Sequence, residues 1–199
     1  MSSLPCCSPA RPTRCFRCRA PAQVSDTILS DGSLELPSAS TARAARLSRL
    51  GRPVRLALLS CSKSKRTRAS RAHTLYTGPF FRAAFDVAAA FADELVILSA
   101  RHHIVEPHQV LEPYDYSFAD MRKPERVAWR TRCTTLLRHR FHSHAVECLF
   151  LGGEDYQLDW HLLPRWTIRS PIDRVVGVGN RIAALRDCVV KLAIKESGA

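Results

Sequence analysis

The sequence predicts an α/β protein: a single three-layer domain over residues 51–199 with a mainly parallel sheet of about four strands, preceded by a disordered tail over residues 1–50. Three observations carry that reading. Short apolar runs of strand length alternate with longer stretches of helical periodicity, the rhythm of a parallel sheet covered on both faces. The first fifty residues are rich in Ser, Pro, Ala and Arg and lack periodicity, so they bury too little apolar surface to offset their ordering entropy. The chain has 199 residues, 46% of them hydrophobic, which is enough for a real core. No apolar run reaches the roughly 18 residues that a membrane span needs.

The elements follow in order. Within the tail, residues 41–50 have the composition of a short helix. Val54–Ser60 (VRLALLS) is the first strand, and residues 79–92 (PFFRAAFDVAAAFA) form a helix opened by Pro79, with Phe81, Phe85 and Ala88 near one face. Glu94–Ser99 (ELVILS) is the second strand. Residues 123–141 form a helix opened by Pro124, with Val127, Arg130, Thr134 and Leu137 spaced along it. Val146–Leu151 (VECLFL) is the third strand, residues 154–163 a weaker helix, Trp166–Arg169 a short fourth strand and residues 180–195 the closing helix.

In an open parallel sheet, ligands bind beyond the C-terminal ends of the strands. Each predicted strand here is followed by chemically distinctive residues. Ser60, Cys61, Ser62 and Lys65 follow the first, and Arg101, His102 and His103 the second. Gly152, Gly153 and Tyr156 follow the third, and Gly177 and Gly179 follow the fourth. Hydroxyls, loop N–H groups and Lys65 suit a phosphate or carboxylate, although the glycine spacing of a P-loop is absent. Cys61 reads either as a thiol activated by neighbouring cations or as packing at the end of a buried strand. Arg101 is placed to clamp an anion and His102 to act as acid or base. Glu112-Pro113-Tyr114-Asp115 supplies carboxylates on a stiffened loop: Glu112 and Asp115 as base and charge stabiliser, Tyr114 as a ring to stack on a base. A plain proline turn accounts for the same residues. Gly177 and Gly179 precede the last helix, whose N-terminal N–H groups suit an anion.

The net charge is 30 basic minus 18 acidic residues, or +12, and 25 of the basic residues are Arg. That bias fits a polyanionic partner; a GC-rich genome writing Arg for Lys explains it equally. The tail carries seven Arg and three acids, so +4, leaving +8 for the rest. The start of the chain has no apolar signal region, which points to the cytoplasm, although it is Arg-rich and free of acids before Asp26, like an organellar transit peptide. Cys61, Cys133, Cys148 and Cys188 read as reduced thiols beside apolar segments. Cys15 and Cys18 have zinc-knuckle spacing, but the adjacent Cys6 and Cys7 do not supply a second pair. His102, His103, His108 and Glu106 lack the spacing of a metal-binding helix, so neither a metal nor a cofactor is expected.

The ordered motifs Ser60-Cys61-Ser62-x-x-Lys65, Leu75-Tyr76-Thr77-Gly78-Pro79-x-Phe81, Leu98-Ser99-Ala100-Arg101-His102 and Glu112-Pro113-Tyr114-Asp115 resemble an uncharacterised domain family of bacteria, archaea and phages. Gly152-Gly153-x-x-Tyr156, Pro171 and Gly177-x-Gly179 resemble its C-terminal part. The resemblance covers about residues 54–190 and implies a single α/β domain. One departure is His103, where the family usually has Gly, the residue that tolerates a positive φ. More distantly, the first loop is similar to a P-C-S-x-x-K loop of the archaeosine synthase group, which works on modified tRNA bases. The expected function is therefore an enzyme acting on a nucleotide or nucleic-acid base, at an N-glycosidic bond in one version, with a non-catalytic nucleotide or nucleic-acid binding module as the alternative.

Overall fold

The computed structural model describes the backbone of residues 51–197 and side chains as far as residue 188. The tail over residues 1–50, its helix at 41–50 and its four cysteines lie outside the described residues. The core is a five-stranded sheet in the order β4-β3-β1-β6-β7, comprising β1 (Val54–Ser60), β3 (Glu94–Ser99), β4 (His103–Val105), β6 (Val146–Leu151) and β7 (Trp166–Arg169). All neighbours run parallel except β4, which folds back antiparallel on β3 with Ser99 opposite His103. Helix α2 (Pro79–Phe91) follows β1, α3 (Lys123–Arg140) precedes β6, and α4 (Val178–Ser197) closes the chain. A small antiparallel pair, β2 (Ser70–Arg71) and β5 (Val110–Leu111), flanks the four-residue helix α1 (Ala72–Leu75).

The layers follow from the strand period of two. On β1, Leu56 and Leu58 face one side, where they join Val96, Leu98, Phe150 and Trp129, Cys133 and Leu137 of α3. Ala57 and Leu59 face the other side, against Phe81, Ala84 and Val87 of α2 and Leu185 of α4. Both faces of β1 are covered, which is why Leu56-Ala57-Leu58-Leu59 reads as an apolar run without alternation.

The mainly parallel sheet of about four strands is observed, with β4 as a fifth strand whose three residues are too short to show a period. Three further sequence expectations are corrected. Residues 154–163 form two separate 3₁₀ turns, Glu154–Tyr156 and Trp160–Leu162, rather than one helix. Of the residues expected along α3, Thr134 and Leu137 are buried together with Trp129 and Cys133, whereas Val127 is 60% exposed. The last helix begins at Val178, two residues earlier than expected.

Helix α3 is pinned to β3 at both ends. At one end Trp129 Nε1 donates to the carbonyl of Ser99 at 2.8 Å. At the other, the buried Arg140 guanidinium bonds Glu94 at 3.0 Å and also Glu106. The charge of an arginine on an inward face breaks hydrophobic periodicity, and only paired carboxylates make it tolerable there.

A second ion cluster joins the starts of β1 and β3. Asp93 accepts from the Arg52 guanidinium at 2.8 and 3.0 Å, and from the Arg55 N–H at 3.1 Å. Burial alone would raise this carboxyl, but the hydrogen bonds from Arg52 and Arg55 outweigh it and hold the pKa at about 2. An unfolded Asp titrates near about 3.9. Its stabilising contribution is therefore complete above that value and fades as the pH falls through about 2. Asp93→Asn should cost about 1–2 kcal/mol at neutral pH, and the gap between variant and wild type should close on acidification below pH 4. Urea melts across that range check it; a gap independent of pH contradicts the assignment.

Candidate functional site

Strand order reverses between β1 and β6: from β1 the chain moves out to β3 and β4 on one side, then crosses to β6 and β7 on the other. Such a reversal leaves a crevice beyond the strand ends. The loop after β1 and the loop after β6 meet there. Cys61 Sγ lies 3.1 Å from the Tyr156 hydroxyl, and the Tyr156 ring is held edge-on against Phe118 and Trp129, with centroids 4.5 and 5.7 Å away. Gly152, at the end of β6, is needed for close approach: a Cβ there would lie 2.6 Å from the Phe150 ring.

The path of the first loop is fixed by backbone bonds. The Cys61 N–H donates to the carbonyl of Leu98, prolonging the β1–β3 ladder by one residue. The Ser62 hydroxyl then accepts from the Gly78 N–H at 3.1 Å, and a Cβ on Gly78 would fall 2.3 Å from that oxygen. Thr77 N–H donates to the carbonyl of Ser64 and Arg66 N–H to that of Leu75, so Lys65 and Tyr76 form an antiparallel bridge. This register carries the Lys65 ammonium to 4.2 Å from the centroid of the Tyr114 ring.

The second loop is organised by Ser99, whose side chain is fully buried. Its hydroxyl oxygen accepts from the N–H groups of Arg101 and His102 at 3.2 and 3.0 Å. Both lone pairs are then used, so its proton goes to the Tyr114 hydroxyl at 2.8 Å, and Tyr114 in turn donates to Tyr76 at 2.8 Å. His103 closes the hairpin at φ 61, the left-handed region. The chain thus keeps, with a histidine, the backbone shape for which glycine is the easier residue. His102 packs edge-on against Tyr114 with centroids 5.0 Å apart, and the Arg101 guanidinium stands 5.8 Å from the same ring.

Lys65, Arg101 and His102 therefore surround one aromatic ring. Burial lowers the Lys65 pKa, partly offset by Cys61 and by Asp115. Burial, then the charges of Arg101 and Lys65, lowers the His102 pKa below the ordinary value of 6.5, so the imidazole is neutral at physiological pH. Burial, with a further contribution from Cys61, pushes Tyr76 up to about 12 and also raises Tyr114 and Tyr156. All three phenols stay protonated as donors. The arrangement is cationic above, with hydroxyls and a neutral base beneath, and it suits an anion that brings a group needing a proton acceptor.

Of the residues expected at a site, Cys61, Lys65, Arg101, His102, Tyr114 and Tyr156 are brought together, and Asp115 lies near enough to favour the charge of Lys65. Ser62 and Gly152 shape the loops, Ser60 is buried at the end of β1, and Gly153 has open space where a side chain would be. Glu112 is exposed and makes no hydrogen bond or ion pair among the described residues. Gly177 turns the chain at φ 88 into α4, but no hydrogen bond or ring contact of the cluster reaches it or Gly179. One face of Tyr114 carries the Lys65 ammonium, and its hydroxyl is committed to Ser99 and Tyr76, so the ring supports the cations. Tyr76 and Ser99, absent from the sequence-derived site, are its framework; both stand inside the motifs that carry the family resemblance.

The chain belongs to the family of unknown function DUF6884, whose model matches residues 56–187. That span runs from β1 into α4 and contains the whole cluster. The chain is also 30% identical over 147 residues to the uncharacterised protein YfjM of Bacillus subtilis (strain 168), an alignment covering 67% of this chain and 94% of that protein.

The lowered His102 pKa gives a direct check. In a proton NMR titration its ring should titrate below the ordinary histidine value. Lys65→Met should move it upward, yet not to the ordinary value, because burial is the larger cause. An identical midpoint in both proteins would contradict the electrostatic contact.

Proposed function

We propose that the protein is an enzyme acting on a nucleotide or nucleic-acid base, held by a phosphate between Lys65 and Arg101 at the C-terminal rim of the sheet. The observation that carries this reading is the convergence of both cations on one buried-edge tyrosine beside the strand-order reversal. The half-buried Lys65 and the exposed Arg101 would bind phosphate through charge-assisted hydrogen bonds, Arg101 through its planar fork and Lys65 as a point charge.

For the reaction, cleavage or exchange at an N-glycosidic bond is the version the residues favour. Charge building on the sugar would be stabilised by a nearby carboxylate, and an attacking water needs a base. Asp115 is the carboxylate nearest in electrostatic reach of Lys65, and neutral His102 is available to take a proton. Glu112, the first choice from sequence, lies outside the contacts of the cluster. Glu112 and Asp115 are both exposed, which favours the second reading, a nucleotide-binding module without catalysis.

Three variants separate the readings. Lys65→Ala should weaken binding of nucleoside monophosphates about tenfold or more, the equivalent of roughly 1.5–3 kcal/mol for a charge-assisted bond, without loss of the cooperative melt. Asp115→Asn should preserve binding and abolish turnover, and Glu112→Gln should change neither. Calorimetric titration and base-release assays measure both. Equal affinity in wild type and Lys65→Ala refutes the phosphate site; binding with no turnover in any protein establishes the module.

A further inference from the structure

A cleft of about 470 Å³ opens beside the cluster, between the β3–β4 hairpin and the first turns of α3. Arg101 belongs to both: it lines the cleft and stands 5.8 Å from the Tyr114 ring. The floor is apolar, built from Ala100, Met121 and Trp129, all buried. Tyr116 is half-buried in the wall, and Arg132 of α3 contributes a second guanidinium. The volume lies within the roughly 300–1,000 Å³ of small-molecule sites.

We propose that this cleft seats the nucleotide next to the one held at Lys65 and Arg101, so that the ligand is a single nucleic-acid strand rather than a free mononucleotide. The inference rests on the phosphate reading of the cluster and extends it to a substrate class. A base needs a flat apolar surface with an aromatic edge, which the floor and Tyr116 provide. A phosphodiester needs cations on the rim between neighbouring sites, which Arg101 and Arg132 provide. The surrounding charge is complementary. Residues 122–132 hold Arg122, Lys123, Arg130 and Arg132, besides Arg126, which pairs with Asp155 at 3.6 Å, against the single acid Glu125. That acid is already engaged, accepting from the Arg122 N–H at 2.7 Å and its guanidinium at 3.1 Å. The first turns of α3 add the positive end of the helix dipole. A duplex would bury its base faces in stacking and could not use the floor, so a single strand fits better.

The test uses the full chain, with thymidine 5′-monophosphate, a labelled oligothymidylate and a labelled oligouridylate as probes. Ala128→Glu places a carboxylate in the cleft at an exposed helical position, where it opens no core cavity. Arg132→Gln removes the second guanidinium. Fluorescence anisotropy should show oligonucleotides binding more tightly than the monophosphate. Ala128→Glu should weaken oligonucleotide binding about tenfold and leave the monophosphate unchanged. Arg132→Gln should reduce the slope of log affinity against log salt by about one. A preference for either oligonucleotide supports the proposal and assigns the sugar. If both variants bind the oligonucleotides as wild type does, or if a polyglutamate peptide competes as strongly as they do, the proposal is overturned. Lys65→Ala tests the cluster separately: monophosphate binding that survives it, with oligonucleotide binding still lost in Ala128→Glu, removes the phosphate reading and retains the cleft as a strand-binding surface.

Discussion

The buried side chain and carbonyl of Ser99 hold the upper half of the molecule together. Its hydroxyl gathers two hairpin N–H groups and passes its proton to Tyr114, while its carbonyl receives the indole of Trp129. One residue thus fixes the turn that carries Arg101 and His102, the loop that carries Tyr114, and the end of α3 that walls the cleft. Tyr76 extends the chain of hydroxyls to the segment paired with Lys65. Without that chain, each loop would need its own contacts to hold a cation against the ring.

The arrangement places like charges close together. Arg101 and Lys65 both depress the His102 pKa, and burial depresses that of Lys65 itself. The face of Tyr114 offsets part of this cost by cation–π attraction, as does the Lys63 carbonyl, which accepts from the Lys65 ammonium at 3.2 Å. On the proposed reading, an anion bound at this frame would relieve the repulsion that Asp115, the Tyr114 face and the Lys63 carbonyl offset only in part. The far end of the molecule does the opposite: Arg140 is neutralised on the spot by Glu94 and Glu106 and serves only to hold α3 on the sheet.

The parallel strands were legible because both faces of β1, β3 and β6 are covered, which leaves apolar runs such as Leu56-Ala57-Leu58-Leu59. Strand β4 was hidden by its length, and the face of α3 by the burial of Arg140 and by the exposure of Val127. At the candidate site, Lys65, Arg101 and His102 stood out in the sequence because polar loop residues after apolar strands are conspicuous. Ser99 and Tyr76 were not, since a serine ending a strand and a tyrosine before a turn have no pattern that marks a buried hydroxyl relay; only their partners, distant by 15 and 38 residues, give them meaning. Glu112 looked equivalent to Asp115 in sequence, and of the two Asp115 is the one that favours the charge of Lys65.

On the proposed reading, Lys65 and Arg101 hold a phosphate over the Tyr114 frame. The most direct measurement is a crystal structure of the full chain soaked with a nucleoside 5′-monophosphate. The predicted result is a phosphate whose oxygens sit about 3 Å from the Lys65 ammonium and the Arg101 guanidinium, with the Ser99–Tyr114–Tyr76 chain unmoved. A phosphate bound elsewhere, with Lys65 still turned to the Lys63 carbonyl, would contradict it.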